Sequence, residues 1–223
     1  MAFQRPTYTC FRVAHAIVID GELDDPSWQG APPIGLVRAD DGSAPRQPTE
    51  VRVLWDDDYL YVAFSCQDED IWGTTTERDR DIYNQEVVEV FVDPDRDDHT
   101  YIEIEVSPLN AILDLFMLNR NDRPRGLWGW DSEGLLSAVK VDGDPTRRGT
   151  RDRSWTVEMA IPMSDFYTAP NLPPRAGDVW HMNLYRIDRA EWGDEYTAWS
   201  PPGRLNYHTP GRFGRLLFSG EAV

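Results

Sequence analysis

Apolar and polar residues alternate with a period of two along most of the chain, and no segment carries an apolar stripe of helical period longer than a turn or two. EVRVLWDDDYLYVAFSCQD places Val51, Val53 and Trp55 on one strand face, turns at Asp56-Asp57-Asp58, and resumes with Leu60, Val62, Phe64 and Cys66. EVVEVFVD and TYIEIEVSP form a second hairpin around an acidic turn, and Ala111 to Met117 continues as a third strand. LLSAVKVDG, SWTVEMAIP, VWHMNLYRID, YTAWSPP and FGRLLFSG supply more strands between Gly, Pro and Asp turns. Asp25-Pro26 starts a single helical turn that buries Trp28, and MSDF after Pro162 opens a short helix capped by Ser164. Arg120 to Glu133, polar and holding Trp128 and Trp130, reads as a long loop, a form that commonly serves binding. Without a repeat or linker, residues 1–223 form one domain, an all-β, two-sheet antiparallel β-sandwich of roughly ten to twelve short strands with short helical turns.

The second hairpin contains an anomaly. Glu89, Glu103 and Glu105 occupy every second position among valines and isoleucines, so they share a face that is not the core face. On adjacent antiparallel strands two such carboxyls come close enough to share a proton or to flank a glycosidic bond. That leaves open an enzyme, a hydrolase or lyase with Glu89 or Glu103 as acid or base. Nucleophile and cofactor motifs are absent: there is no GxSxG, HExxH, CxxC or glycine-rich phosphate loop.

Composition narrows the partners. A formal charge of −17 over 223 residues opposes binding to phosphate backbones and anionic lipid, so neither nucleic acid nor membrane is an expected partner. MAFQRPTYTCFRV lacks a basic start followed by an apolar run, so the chain reads as cytoplasmic or as one whose leader has been removed. Nine tryptophans and nine tyrosines against four histidines favour flat stacking surface over imidazole chemistry, which suits neutral, hydroxyl-rich ligands. Cys10 and Cys66 read as two buried thiols in preference to a disulfide. The turn DPDRDDH offers Asp93, Asp95 and Asp97 to a Ca2+ ion, against the alternative of a solvated acidic turn. Met182, Leu184 and Arg186 alternate on one side of a strand, so Arg186 either leaves the core at the strand end or is buried against a carboxylate, with Glu89 the candidate partner.

Three segments resemble the family 9 carbohydrate-binding modules and their wider DOMON-like relatives: IVIDGELDDPSWQGA, a strand ending in Asp-Gly before a tryptophan-burying turn; EVRVLWDDDYLYVAFSCQDED; and IYNQEVVEVFVDP. The closing FGRLLF fits as well. The resemblance implies a jelly-roll-like sandwich that binds a mono- or oligosaccharide, typically a chain end, without cleaving it. Two rings stack on the sugar and charged side chains grip its hydroxyls. Carried over by motif, Tyr83 stands at the first ring and Glu89 at the hydroxyl-binding glutamate. Trp199, or alternatively Trp192, stands at the second ring, with Glu103 and Arg186 completing the expected ligand-binding set. Tyr101, Glu103 and Glu105 depart from the arginine or amides common in sugar-binding members. DOMON-like relatives also include structural and haem-binding domains, for which Met117, Met159, Met182 and His181 are the residues to consider.

Overall fold

The computed structural model describes residues 3–120, 123–149 and 151–223. The start of the N-terminal stretch and two residues inside Arg120–Glu133 therefore lie outside the described residues. In chain order the strands are β1 (Thr7–Arg12), β2 (Ile34–Gly35), β3 (Val37–Arg38), β4 (Thr49–Trp55), β5 (Tyr59–Gln67), β6 (Val87–Asp93) and β7 (Thr100–Val106). They continue as β8 (Ile112–Arg120), β9 (Arg123–Leu127), β10 (Leu136–Asp142), β11 (Ser154–Pro162), β12 (Val179–Ala190), β13 (Gly193–Ala198) and β14 (Gly214–Ala222). One helical turn, α1, spans Pro26–Gly30, and 3-10 turns cover Ile82–Asn84, Met163–Asp165 and Pro210–Arg212.

The ladder runs β10-β11-β5-β4-β1-β14-β12-β6-β7-β8-β9. Its two halves fold over one another, because Val53, Val62 and Val157 from one half share a core cluster with Val90, Ile104 and Leu184 from the other. β1 makes the corner. Thr7–Cys10 pairs with β14, the register then shifts, and Phe11–Arg12 pairs with β4, parallel in both cases. This is the departure from the expected antiparallel sandwich; the sheets on either side are antiparallel.

Several expectations change in detail. The Arg120–Glu133 loop contains β9, which pairs with β8 and where Gly126 leaves room for the Leu115 side chain: a Cβ there would meet Leu115 Cδ1 at 2.9 Å. Ser164 lies within its 3-10 turn and caps nothing. IVIDG is not a strand; the backbone N–H groups of Asp20 and Gly21 donate to Glu158 Oε2 at 2.9 and 2.7 Å. Trp28 Nε1 donates to the other oxygen, Glu158 Oε1, at 2.8 Å. One buried carboxylate thus ties the Asp-Gly turn and the tryptophan of α1 to β11. Cys10 and Cys66 are free and buried, and burial pushes the Cys66 thiol up to about 12. Among the described residues no helix is long and apolar enough to cross a membrane.

Candidate functional site

Period-two alternation gives β6 and β7 two different faces. Val88, Val90, Ile102 and Ile104 enter the inter-sheet core. Glu89 and Phe91 from β6, with Tyr101, Glu103 and Glu105 from β7, occupy the opposite face, and the register sets Glu89 against Glu105 and Phe91 against Glu103. That face is not solvated. Glu89, Glu103 and Glu105 are only 3%, 4% and 2% exposed.

The cover is the segment after Trp199. Tyr207 stacks on Tyr185 of β12 with centroids 3.9 Å apart, and its hydroxyl donates to the Arg186 carbonyl at 2.9 Å. The Tyr185 hydroxyl donates back to the Tyr207 carbonyl at 3.0 Å. Next along, His208 lies over Phe91 and its Nδ1 is 2.8 Å from the Tyr101 hydroxyl. These contacts hold the loop above the sheet and leave a cleft of about 390 Å3 between them, within the ~300–1,000 Å3 range of small-molecule sites.

The three glutamates form the polar floor of this cleft, and Leu115 and Met117 its apolar part. Rings stand at its sides. Tyr196 enters from β13, next to β12, and Trp128 from the end of β9 at the other edge of the sheet, with β6 and β7 between them. Trp128 is 51% exposed, an unusual position for a tryptophan unless its face is meant to be covered. Tyr83, from the 3-10 turn before β6, is braced by Arg189, whose guanidinium donates to the Tyr83 carbonyl at 2.8 Å and to the Tyr196 hydroxyl at 2.9 Å, and pairs with Asp194.

Electrostatically the floor is a set of carboxyls with little to neutralise it. Burial drives all three upward, and the neighbouring carboxyls push Glu89 and Glu105 further. Glu103 rises to about 7, because burial outweighs the hydrogen bond it accepts from Glu105. His208 offers no compensating charge near neutrality, since burial lowers it to about 4. Neither Glu103 Oε2 nor Glu105 Oε2 accepts a hydrogen bond from an N–H or O–H of the described residues.

Of the residues expected at the site, Tyr83, Glu89 and Glu103 meet in the cleft. Arg186 and Trp199 do not, the first through strand parity and the second through its packing. Arg186 pairs with Val88, not Glu89, so it points between the sheets. There it is 1% exposed and donates to Asp68 at 2.8 Å, with Asp188 at 3.5 Å and Glu86 at 3.8 Å. Trp199 packs against the inter-sheet core, where a Cβ on Gly214 would come within 2.6 Å of its ring. Trp192 lies elsewhere, under the Arg46 guanidinium at 4.1 Å. Trp128, Tyr196, Tyr207 and His208 were not anticipated as site residues. For Trp128 the signal was present, an aromatic in a polar, glycine-containing stretch; for the others, tertiary folding of the 199–213 segment decides.

The acidic turn brings oxygens of Asp93, Asp95 and Asp97 within 4.8 Å of one another. Both oxygens of Asp93 already accept backbone N–H groups, from Arg96 at 2.7 Å and Asp98 at 3.0 Å, and Asp97 accepts from Thr100 at 2.8 Å. The carboxylates therefore shape the turn itself. Met159 and Met182 lie in the inter-sheet core, Met117 in the cleft floor and His181 beside Asp98.

A β-sandwich carrying a ring-lined cleft with a polar floor on one outer sheet face belongs to the class of ligand-binding modules. A family model, carbohydrate family 9 binding domain-like, matches residues 19–221, and the chain belongs to that family. It is 26% identical over 182 residues to an extracellular protein of Arthroderma benhamiae, covering 78% of this chain and 80% of that one. It is 28% identical over 207 residues to endo-1,4-beta-xylanase A of Thermoanaerobacterium saccharolyticum, a match that takes in 92% of this chain but spans only 15% of the xylanase. In fold, it is similar to a Bacteroides uniformis protein, with TM-score 0.78 and 20% identity, covering 96% of this chain and 100% of that one. It is also similar to a family 9 carbohydrate-binding module of Caldicellulosiruptor kristjanssonii in complex with cellotriose, with TM-score 0.67, 17% identity, and coverage of 97% and 95%.

Proposed function

We propose that the cleft over β6, β7 and β8 binds a carbohydrate by ring stacking and hydrogen bonding, without cleaving it. The observation that carries this reading is the pairing of a half-exposed Trp128 and a braced Tyr83 with three buried carboxyls, two of which, Glu103 and Glu105, keep an oxygen without a hydrogen-bond partner. A pyranose presents C–H groups to ring faces and hydroxyl donors to such acceptors, and burying both kinds of group at once is what this lining accommodates. Family membership and a fold shared with a module in complex with cellotriose support the same reading.

The expected site set is Trp128, Tyr83, Glu89, Glu103 and Glu105. Arg189 acts behind it, holding two of the rings. Calorimetry against a panel of mono- and oligosaccharides tests the proposal, with Trp128→Ala and Tyr83→Ala as controls. Binding of at least one sugar, lost in both variants, is expected; absence of binding at millimolar sugar overturns it. A second reading, a glycoside hydrolase or lyase, draws on one observation, the upward displacement of adjacent carboxyls that also prepares acid–base pairs. Incubation with the same glycans decides it through the appearance of new reducing ends or unsaturated products.

A further inference from the structure

The cleft's charge is lopsided in a way that neutral-sugar binding does not require. Three carboxyls lie on its floor. Among the described residues, the groups facing them add no uncommitted cation, Arg189 alone easing the charge on Glu89 from a distance. Tyr101 of β7, Tyr207 of the covering segment and Tyr83 are phenols pushed upward, chiefly by burial. His208 is held neutral by its own burial. Asp81 adjoins Tyr83 and adds to the negative side. The guanidinium of Arg189 is committed to Asp194, the Tyr83 carbonyl and the Tyr196 hydroxyl. Arg123 and Arg125 of β9 alternate away, lining a separate surface cavity, while Pro124 and Gly126 face this one.

A metal ion matches this floor poorly. The three glutamates are not among the acidic groups of the described residues whose ligand atoms close to within 4.8 Å of one another. What the partnerless oxygens of Glu103 and Glu105, with Glu89 beside them, fit is a positive group with several hydrogen-bond donors, carried on a ligand that also stacks. Resting on the carbohydrate reading above, we infer that the cleft selects a sugar bearing a free amine, a hexosamine or an oligomer of one, over its neutral and N-acylated counterparts.

An ammonium supplies three N–H donors and a charge, and it replaces the proton that Glu105 shares with Glu103. Amine binding is therefore coupled to proton release, whereas binding of glucose is not.

Calorimetry of the full chain near neutral pH with glucosamine, glucose and N-acetylglucosamine, repeated in buffers of different ionisation enthalpy, tests this. Glucosamine is expected to bind at least about tenfold more tightly than the other two, which is ~1.4 kcal/mol, and to release protons. Glu103→Gln and Glu105→Gln should each reduce the ratio of glucosamine to glucose affinity to within about threefold, whatever either change does to neutral-sugar binding itself; thermal melts establish that both variants are folded. Equal affinity for glucose and glucosamine, or a preference that survives both substitutions, overturns the inference and leaves carbohydrate binding standing. If no sugar binds at all, the carbohydrate reading falls with it.

Discussion

Replacing Glu103 by glutamine keeps the shape of the protonated side chain and removes its ionisation, so the variant isolates what the charge costs the fold. In the unfolded chain this carboxyl titrates near 4.5; in the folded protein it is pushed up to about 7, chiefly by burial. A raised acid binds its proton more tightly in the native state. Its contribution to stability is full below pH 4.5, declines as pH rises through 7, and has become a constant penalty above that. At ~1.4 kcal/mol per pH unit the displacement from 4.5 to about 7 amounts to a penalty of about 3–4 kcal/mol, and at ~2–4 °C per kcal/mol for a chain of this size it corresponds to roughly 7–14 °C. Thermal melts followed by circular dichroism at pH 5 and pH 8 measure it. Near pH 5 the variant and the parent should melt within a degree or two of each other, and at pH 8 Glu103→Gln should melt higher by the stated margin. A gap that does not change with pH, or a parent more stable than the variant at pH 8, would refute the claim that an ionised Glu103 is buried without adequate partners.

Three further outcomes are expected. Trp128→Ala should lower affinity for any bound sugar at least about tenfold, as loss of a stacking ring implies, while the melting temperature moves little because half the ring is already in water; calorimetry and melts together check both. Arg186→Met should destabilise the protein by about 3–5 kcal/mol, because Asp68, Glu86 and Asp188 are left buried around an absent cation; urea titration at neutral pH reads this, and milder destabilisation at pH 5 is expected as burial-raised Glu86 and Asp188 take up protons. Glu158→Ala should cost about 2–4 kcal/mol, since it orphans the N–H groups of Asp20, Gly21 and the Trp28 ring, and should speed hydrogen exchange at those positions.

Strand positions and face assignments were legible because a period of two needs no tertiary information: Val88 and Glu89 must point oppositely once β6 is a strand. The same rule read one strand further would have separated Arg186 from Glu89, since Tyr185, not Arg186, stands opposite Glu89. That register depends on how β12 is aligned with β6, which no local pattern specifies. The burial of the glutamates was equally hidden. Their alternation among valines is the mark of a solvated face, and only the return of Tyr207 and His208 over β6 and β7, pinned by hydroxyl bonds to distant backbone, turns that face into a cleft. Trp199 was misplaced for a related reason: its ring fills the space above Gly214, a contact between segments that the sequence does not show to be neighbours.

β12 places two acidic clusters on its opposite sides, and the protein treats them differently. Toward the core, Arg186 stands among Asp68, Glu86 and Asp188, each within 4.0 Å of its guanidinium, so an internal cation offsets the buried negative charge. Toward the cleft, the nearest arginine on the same strand, Arg189, is turned aside to brace Tyr83 and Tyr196, and Glu105 and Glu103 are left to share a proton with Glu89 beside them. Burial alone does not account for the contrast, because both clusters are equally enclosed. A fold selected only for stability would replace the second set with apolar residues of similar size, as the period-two neighbours Phe91 and Tyr101 already illustrate. Retaining three carboxyls there at a cost of several kcal/mol is consistent with a partner that enters from solution and supplies the missing donors.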